Sequence, residues 1–148
     1  MNYAYRFEQI LTVREQEKSE TEQAYKESVR AFEEVATSLY ELLRKKESLI
    51  AYQTERLKTG STVDEIHQNA RFLDSLEKMV DTVQQKVTQA RAKMQWYEER
   101  LLEKNLEVRK YEKMKERDFE QFQQEQHRLE GIFLDELSTL TFNKKEIR

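Results

Sequence analysis

Turn-forming residues are almost missing from this chain: proline is absent, and the 148 residues hold two glycines, Gly60 and Gly131. A chain with so little punctuation folds into few, long elements. Its apolar residues are spread along the sequence rather than clustered, which suits a narrow seam between paired helices and not a broad globular core.

Written at alternating spacings of three and four, the first half reads Phe7, Leu11, Arg14, Lys18, Thr21, Tyr25, Ser28, Phe32, Val35, Leu39, Leu42, Lys46 and Leu49. The second half reads Leu73, Leu76, Val80, Val83, Val87, Ala90, Met94, Tyr97, Leu101, Lys104, Val108, Tyr111, Lys115, Asp118 and Phe122. This is the heptad period of a coiled coil. Between the halves, Gly60 can take the left-handed conformation that closes a helix. Thr62-Val63-Asp64-Glu65 has the spacing of a capping box that opens the next one. So short a linker returns the second helix alongside the first, setting Leu39 near Val83, Tyr25 near Tyr97 and Leu11 near Tyr111. The expected fold is all-α, a long two-stranded antiparallel coiled coil or α-helical hairpin. It forms one elongated domain over 1–148, with a helix over about 4–58, a loop over about 59–62 and a helix over about 63–128. From Glu116 onward no strand lies opposite. The C-terminal segment 129–148, with Ile132, Phe133, Leu137, Leu140 and Phe142 around Gly131, is expected to be disordered or to dock on a partner or another copy.

Two irregularities in the seam bear on function. Toward the loop the apolar stripe doubles, with Leu43 beside Leu42, Ile50 beside Leu49, Phe72 beside Leu73 and Met79 beside Val80. Helix neighbours point about 100° apart, so one narrow seam does not bury both. Either the coil widens to cover them, or they form a docking ridge; Phe72, Leu76 and Met79, at spacings of four and three, favour the ridge. At the open end the seam turns polar, with Arg14, Lys18, Lys104, Lys115 and Asp118, and is expected to fray first.

Other chemistries find little support. The formal net charge of -3 comes from 26 Lys and Arg interspersed with 29 Asp and Glu, which disfavours nucleic acid. No apolar stretch reaches the roughly twenty residues that span a bilayer, and no cleavable leader follows the start, so the chain is expected to be cytoplasmic without inserting into the membrane. Cysteine is absent, which excludes disulfides and thiolate chemistry. Asp64-x-x-His67 is half of a di-metal bundle pattern, but the second histidine, His127, is remote, so no metal or cofactor is expected. No glycine-rich phosphate loop occurs, and a two-helix coil has no pocket to tune an acid or base. The basic run from Arg109 to Arg117 is interleaved with Glu112 and Glu116 and reads as a solvated ion-pair face. Trp96 is expected to cover the edge of the seam beside Tyr97.

Three stretches together resemble the family of flagellar export proteins FliJ. They are Tyr5-Arg6-Phe7-Glu8-Gln9-Ile10-Leu11-Thr12-Val13-Arg14-Glu15, then Phe72-Leu73-Asp74-Ser75-Leu76-Glu77, then Glu103 through Arg117, in order and around one hairpin. The resemblance implies a non-enzymatic component of the flagellar type III export apparatus, similar to the coiled-coil stalk of rotary ATPases. It would sit at the cytoplasmic face of the membrane and bind the hexameric export ATPase, the membrane export-gate protein and export chaperones. It also implies that Leu42, Leu49, Phe72, Leu76 and Met79 form the gate-binding face, with Lys45 departing from the aromatic expected there. Phe7, Leu11, Arg14, Tyr111, Arg117 and Phe122 would meet the ATPase ring. Two other classes stand beside this reading: a homodimerising scaffold or spacer, and a metal-dependent enzyme.

Overall fold

The computed structural model describes residues 2–147 and contains two helices, α1 over Glu8–Thr59 and α2 over Val63–Ile147. They pack against one another as an antiparallel hairpin, and no strand occurs among the described residues. Met1 and Arg148, the outermost positions of the expected domain, lie outside the described residues. The backbone groups into two compact units, Ser19–Leu102 and Met1–Lys18 with Glu103–Arg148.

The unit Ser19–Leu102 contains the turn. Gly60 adopts φ 107° and donates its N–H to the Arg56 carbonyl at 2.9 Å, ending α1 where only a residue without a side chain turns cheaply. Thr62 Oγ1 then accepts the Glu65 N–H at 3.2 Å, and the Thr62 carbonyl accepts the Ile66 N–H at 3.1 Å. The Glu65 carboxylate accepts from Arg56 at 2.9 Å and from Ser61 Oγ at 3.0 Å, which ties the start of α2 to the end of α1. Farther from the turn, Lys46 pairs with Glu77 at 3.7 Å and the Arg91 guanidinium lies 5.7 Å from the Phe32 ring. These contacts bracket the expected Leu39–Val83 level. Every seam position from Thr21 to Leu49 and from Leu73 to Leu101 is buried or half-buried, with Leu76, Val80 and Ser28 deepest. Ser28 resolves its burial by donating to the Tyr25 carbonyl at 2.6 Å.

The other unit is centred on Tyr5, Leu11 and Val108, with Tyr3, Phe7, Tyr111 and Met114 packed around them. Here α1 starts at Glu8 rather than near residue 4. Residues 2–7 are non-helical and alternate in burial, with Tyr3, Tyr5 and Phe7 all turned inward. A helix sets residues two apart about 200° from each other, so three aromatics at that spacing reach one seam only from a backbone of period two. The segment covers part of α2 that was expected to stand bare after Glu116. Tyr3 lies edge-on to Phe119 at 5.0 Å and tilted on Phe122 at 5.2 Å. Beyond it, α2 runs through Gly131 to Ile147 rather than ending near residue 128. One glycine costs a helix only about 1 kcal/mol relative to alanine. Arg128 pairs with Glu125, and Thr139 Oγ1 donates to the Asp135 carbonyl at 2.9 Å, all within the same helix.

Candidate functional site

Of the residues expected on the loop-proximal face, Leu76 is 4% exposed, whereas Phe72 and Met79 are 57% and 51% exposed. The expected ridge is therefore split. Leu76 sits in the seam with Val80, while Phe72 and Met79 flank it toward solvent. The reason lies in angle: seen down α2, Leu76 is displaced from both toward Leu73 and Val80, and that displacement faces α1. Leu42 and Leu49 are half-buried. Phe72 and Leu49 line one open groove together with Glu41, Arg44, Lys45 and Ser48. Its lining thus combines an aromatic and an aliphatic side chain with two cations, an acid and a hydroxyl. Lys45, the departure noted from sequence, is one of those cations. Leu43 and Ile50, 40% and 43% exposed, add apolar surface to this part of α1.

In the other unit, Leu11 is 3% exposed and belongs to the core, and Phe7, Arg14, Tyr111 and Phe122 are half-buried. Arg117 is exposed. Phe7 and Arg117 meet in a groove with Tyr5, Arg6, Met114, Asp118 and Gln121. Arg14 does not reach that groove's lining. Its Nη1 donates to both Glu17 oxygens at 3.1 Å, and its Nε lies 3.7 Å from Glu107 across the seam. Lys104 donates to Glu17 at 3.2 Å, and Lys115 pairs with Glu8 at 2.9 Å. Arg14, Lys104 and Lys115 are thus paired across the helices. The hydrogen bonds from Lys104 and then Arg14 hold the Glu17 carboxyl below its ordinary range, and the bond to Glu17 raises Arg14. Such half-exposed pairs set register more than they stabilise.

Tyr3, Tyr5 and Phe119 did not figure among the expected site residues. Tyr3 donates its hydroxyl to Asp118 at 2.9 Å, and Tyr5 donates to the Tyr111 carbonyl at 3.2 Å. Burial first, and then the bond to Asp118, push the Tyr3 hydroxyl up to about 12. The alternation Tyr3-x-Tyr5-x-Phe7 was the available signal, since it carries the strand period and not the helical one.

Among the described residues no group of three or more His, Cys, Asp or Glu is arranged to hold a metal ion, and His67 and His127 are exposed. Among the described residues no helix is long and apolar enough to cross a membrane. Trp96 is half-exposed, edge-on to Tyr97 at 5.0 Å with the Arg100 guanidinium 5.1 Å from its ring.

Residues 3–146 match the family model described as Flagellar FliJ protein. The chain is 37% identical over 142 residues to the Flagellar FliJ protein of Bacillus subtilis (strain 168), covering 96% of this chain and 97% of that one. Its fold is similar to the solved structure of a putative YscO homolog, CT670, from Chlamydia trachomatis. The TM-score is 0.72 at 21% identity, over 99% of each chain.

Proposed function

The chain belongs to the flagellar FliJ protein family, a family of non-enzymatic flagellar export components, and from that premise we propose that it works by holding two protein partners on separate faces. The unit Met1–Lys18 with Glu103–Arg148 binds the hexameric export ATPase through the groove of Phe7 and Arg117, with Arg14, Tyr111 and Phe122 beside it. The unit Ser19–Leu102 binds the membrane export-gate protein through the groove of Phe72 and Leu49, with Leu42 and Met79 extending it. Leu11 and Leu76 support these surfaces from beneath and do not touch the partners. Export chaperones are a third class of partner. The protein acts at the cytoplasmic face of the membrane without inserting into it.

The observation that carries this reading is the exposure of Phe72 and Met79 beside a seam already filled by Leu76 and Val80. Apolar groups that the hairpin does not need for its own packing are available to a partner. The mechanism is allosteric: a coiled coil bound within a ring stabilises the assembled ring and biases its subunits by contacting their states unequally. Catalysis belongs to the ATPase. The test is Phe72→Ala combined with Met79→Ala, assayed for gate binding and for stimulation of the cognate ATPase. Loss of the first with retention of the second is expected; loss of both together counts against two separate faces.

A further inference from the structure

From His127 to Lys145 every residue of α2 is exposed, and the side-chain bonds there, Arg128 with Glu125, His127 with Glu130 and Thr139 with Asp135, stay within the helix. An isolated helix of this length in water draws its stability from covering an apolar face. Leu129, Phe133, Leu137 and Leu140 supply that face. At spacings of four, four and three they fall within about 80° of arc. They are 43%, 60%, 43% and 61% exposed.

We infer that this face pairs antiparallel with the same face of a second copy of the chain. The stripe lies within one residue, about 1.5 Å, of matching its own reverse. Laid against its own reverse, Leu129 meets Leu140 and Phe133 meets Leu137, so each of the four has an apolar partner, while Ile132, Leu134 and Phe142 stay off the stripe. Charge selects the direction. Lys144 lies on the stripe's own side of the helix, eighteen residues and therefore five whole turns beyond Gln126. In the antiparallel pair it comes level with Glu125 at the edge of the second copy's face, a carboxylate it shares with that copy's own Arg128, and the symmetry gives that contact twice. A parallel pair would instead set Lys144 against Lys144 and Glu136 against Glu136. The same two-fold symmetry closes the assembly at two copies, because one face is used up by each chain. The paired stretch of each copy, which ends at Phe122 under Tyr3, stays outside the contact. Four apolar residues a side form a small interface, so the expected dissociation constant is on the order of 10 μM.

The test uses the full chain. Sedimentation from about 1 to 200 μM, which brackets that constant, should show monomer passing to dimer. Phe133→Glu should abolish the dimer, and since Phe133 is exposed in the single chain its helix content should be unchanged. Lys144→Glu should weaken association roughly tenfold, and Glu125→Lys in the same chain should restore it. The chain has no cysteine, so orientation can be read directly. A mixture of Leu129→Cys and Leu140→Cys chains should oxidise to crossed dimers while each alone does not. In each homodimer the thiols would lie about 16 Å apart along the axis, beyond disulfide reach. A monomer at every concentration overturns the inference and leaves the face to a different protein. Cross-linking of each single variant with itself overturns it in favour of a parallel pair, and a dimer indifferent to Phe133→Glu overturns the choice of face.

Discussion

Phe72 and Leu76 lie one turn apart on α2, yet alanine at the two positions should have opposite consequences. Leu76 is 4% exposed, and Leu76→Ala removes three buried carbon groups, worth roughly 0.8 kcal/mol each in transfer. A seam between two helices lets neighbours and water close part of the space, so the total falls toward the low end of core Leu→Ala changes, about 2–3 kcal/mol. Phe72 is 57% exposed, so less than half of its side chain's hydrophobic stabilisation is at stake, and Phe72→Ala should cost about 1 kcal/mol or less. Urea unfolding followed by far-UV circular dichroism measures both, and hydrogen exchange locates the Leu76→Ala loss in the unit Ser19–Leu102. Gate binding should follow the reverse order, falling most for Phe72→Ala under conditions where both variants are folded. Equal destabilisation by the two, or a larger loss for Phe72→Ala, would refute the division into seam and surface.

Three further outcomes are expected. Gly60→Ala should lower the urea midpoint by about 1–2 kcal/mol of stability through the backbone alone, because a Cβ there meets no atom within 4 Å while φ is 107°. The Tyr3 hydroxyl, raised from 10.0 to about 12, holds the N-terminal segment fully below pH 10 and releases it as pH rises through 12. Tyrosinate absorbance and protease cleavage after Arg6 should therefore change together in that window, and Tyr3→Phe should reduce the pH dependence of cleavage, leaving the part due to Tyr5, whose hydroxyl burial also raises. Arg56, and then Ser61, hold the Glu65 carboxyl below its ordinary value, so their contribution is present above that value and is lost as pH falls through the lowered one. Amide exchange around Gly60 should accelerate on acidification, and Glu65→Gln should flatten the response.

The parts of the fold legible in sequence are those governed by one local rule. The heptad spacing named residues that the structure buries or half-buries, and the left-handed Gly60 and the Thr62 cap mark the turn because each is a backbone requirement met by a few residue types. The site was less legible. Leu76 belongs by spacing both to the seam and to a ridge with Phe72 and Met79, and which membership prevails depends on where α1 lies, a tertiary fact. Arg14, Lys104 and Lys115 looked like weak points because the heptad rule scores polar seam residues singly, whereas Glu17, Glu107 and Glu8 sit across from them. The N-terminal aromatics were read in the helical period that suits the rest of the chain, although Tyr3, Tyr5 and Phe7 carry the other one. The helix expected to end near residue 128 continues because Gly131, in a negative-φ conformation, is only a weak link in an 85-residue helix.

In the proposed function one face serves the export ATPase and another the export gate. ATP hydrolysis by the cognate flagellar export ATPase, with the wild-type chain, with Phe72→Ala plus Met79→Ala, and with Phe7→Ala plus Arg117→Ala, tests it most directly. Equal stimulation by the first two and loss of stimulation by the third are expected, with all three folded. Absence of stimulation by the wild-type chain, under conditions where the ATPase alone is active, would contradict it.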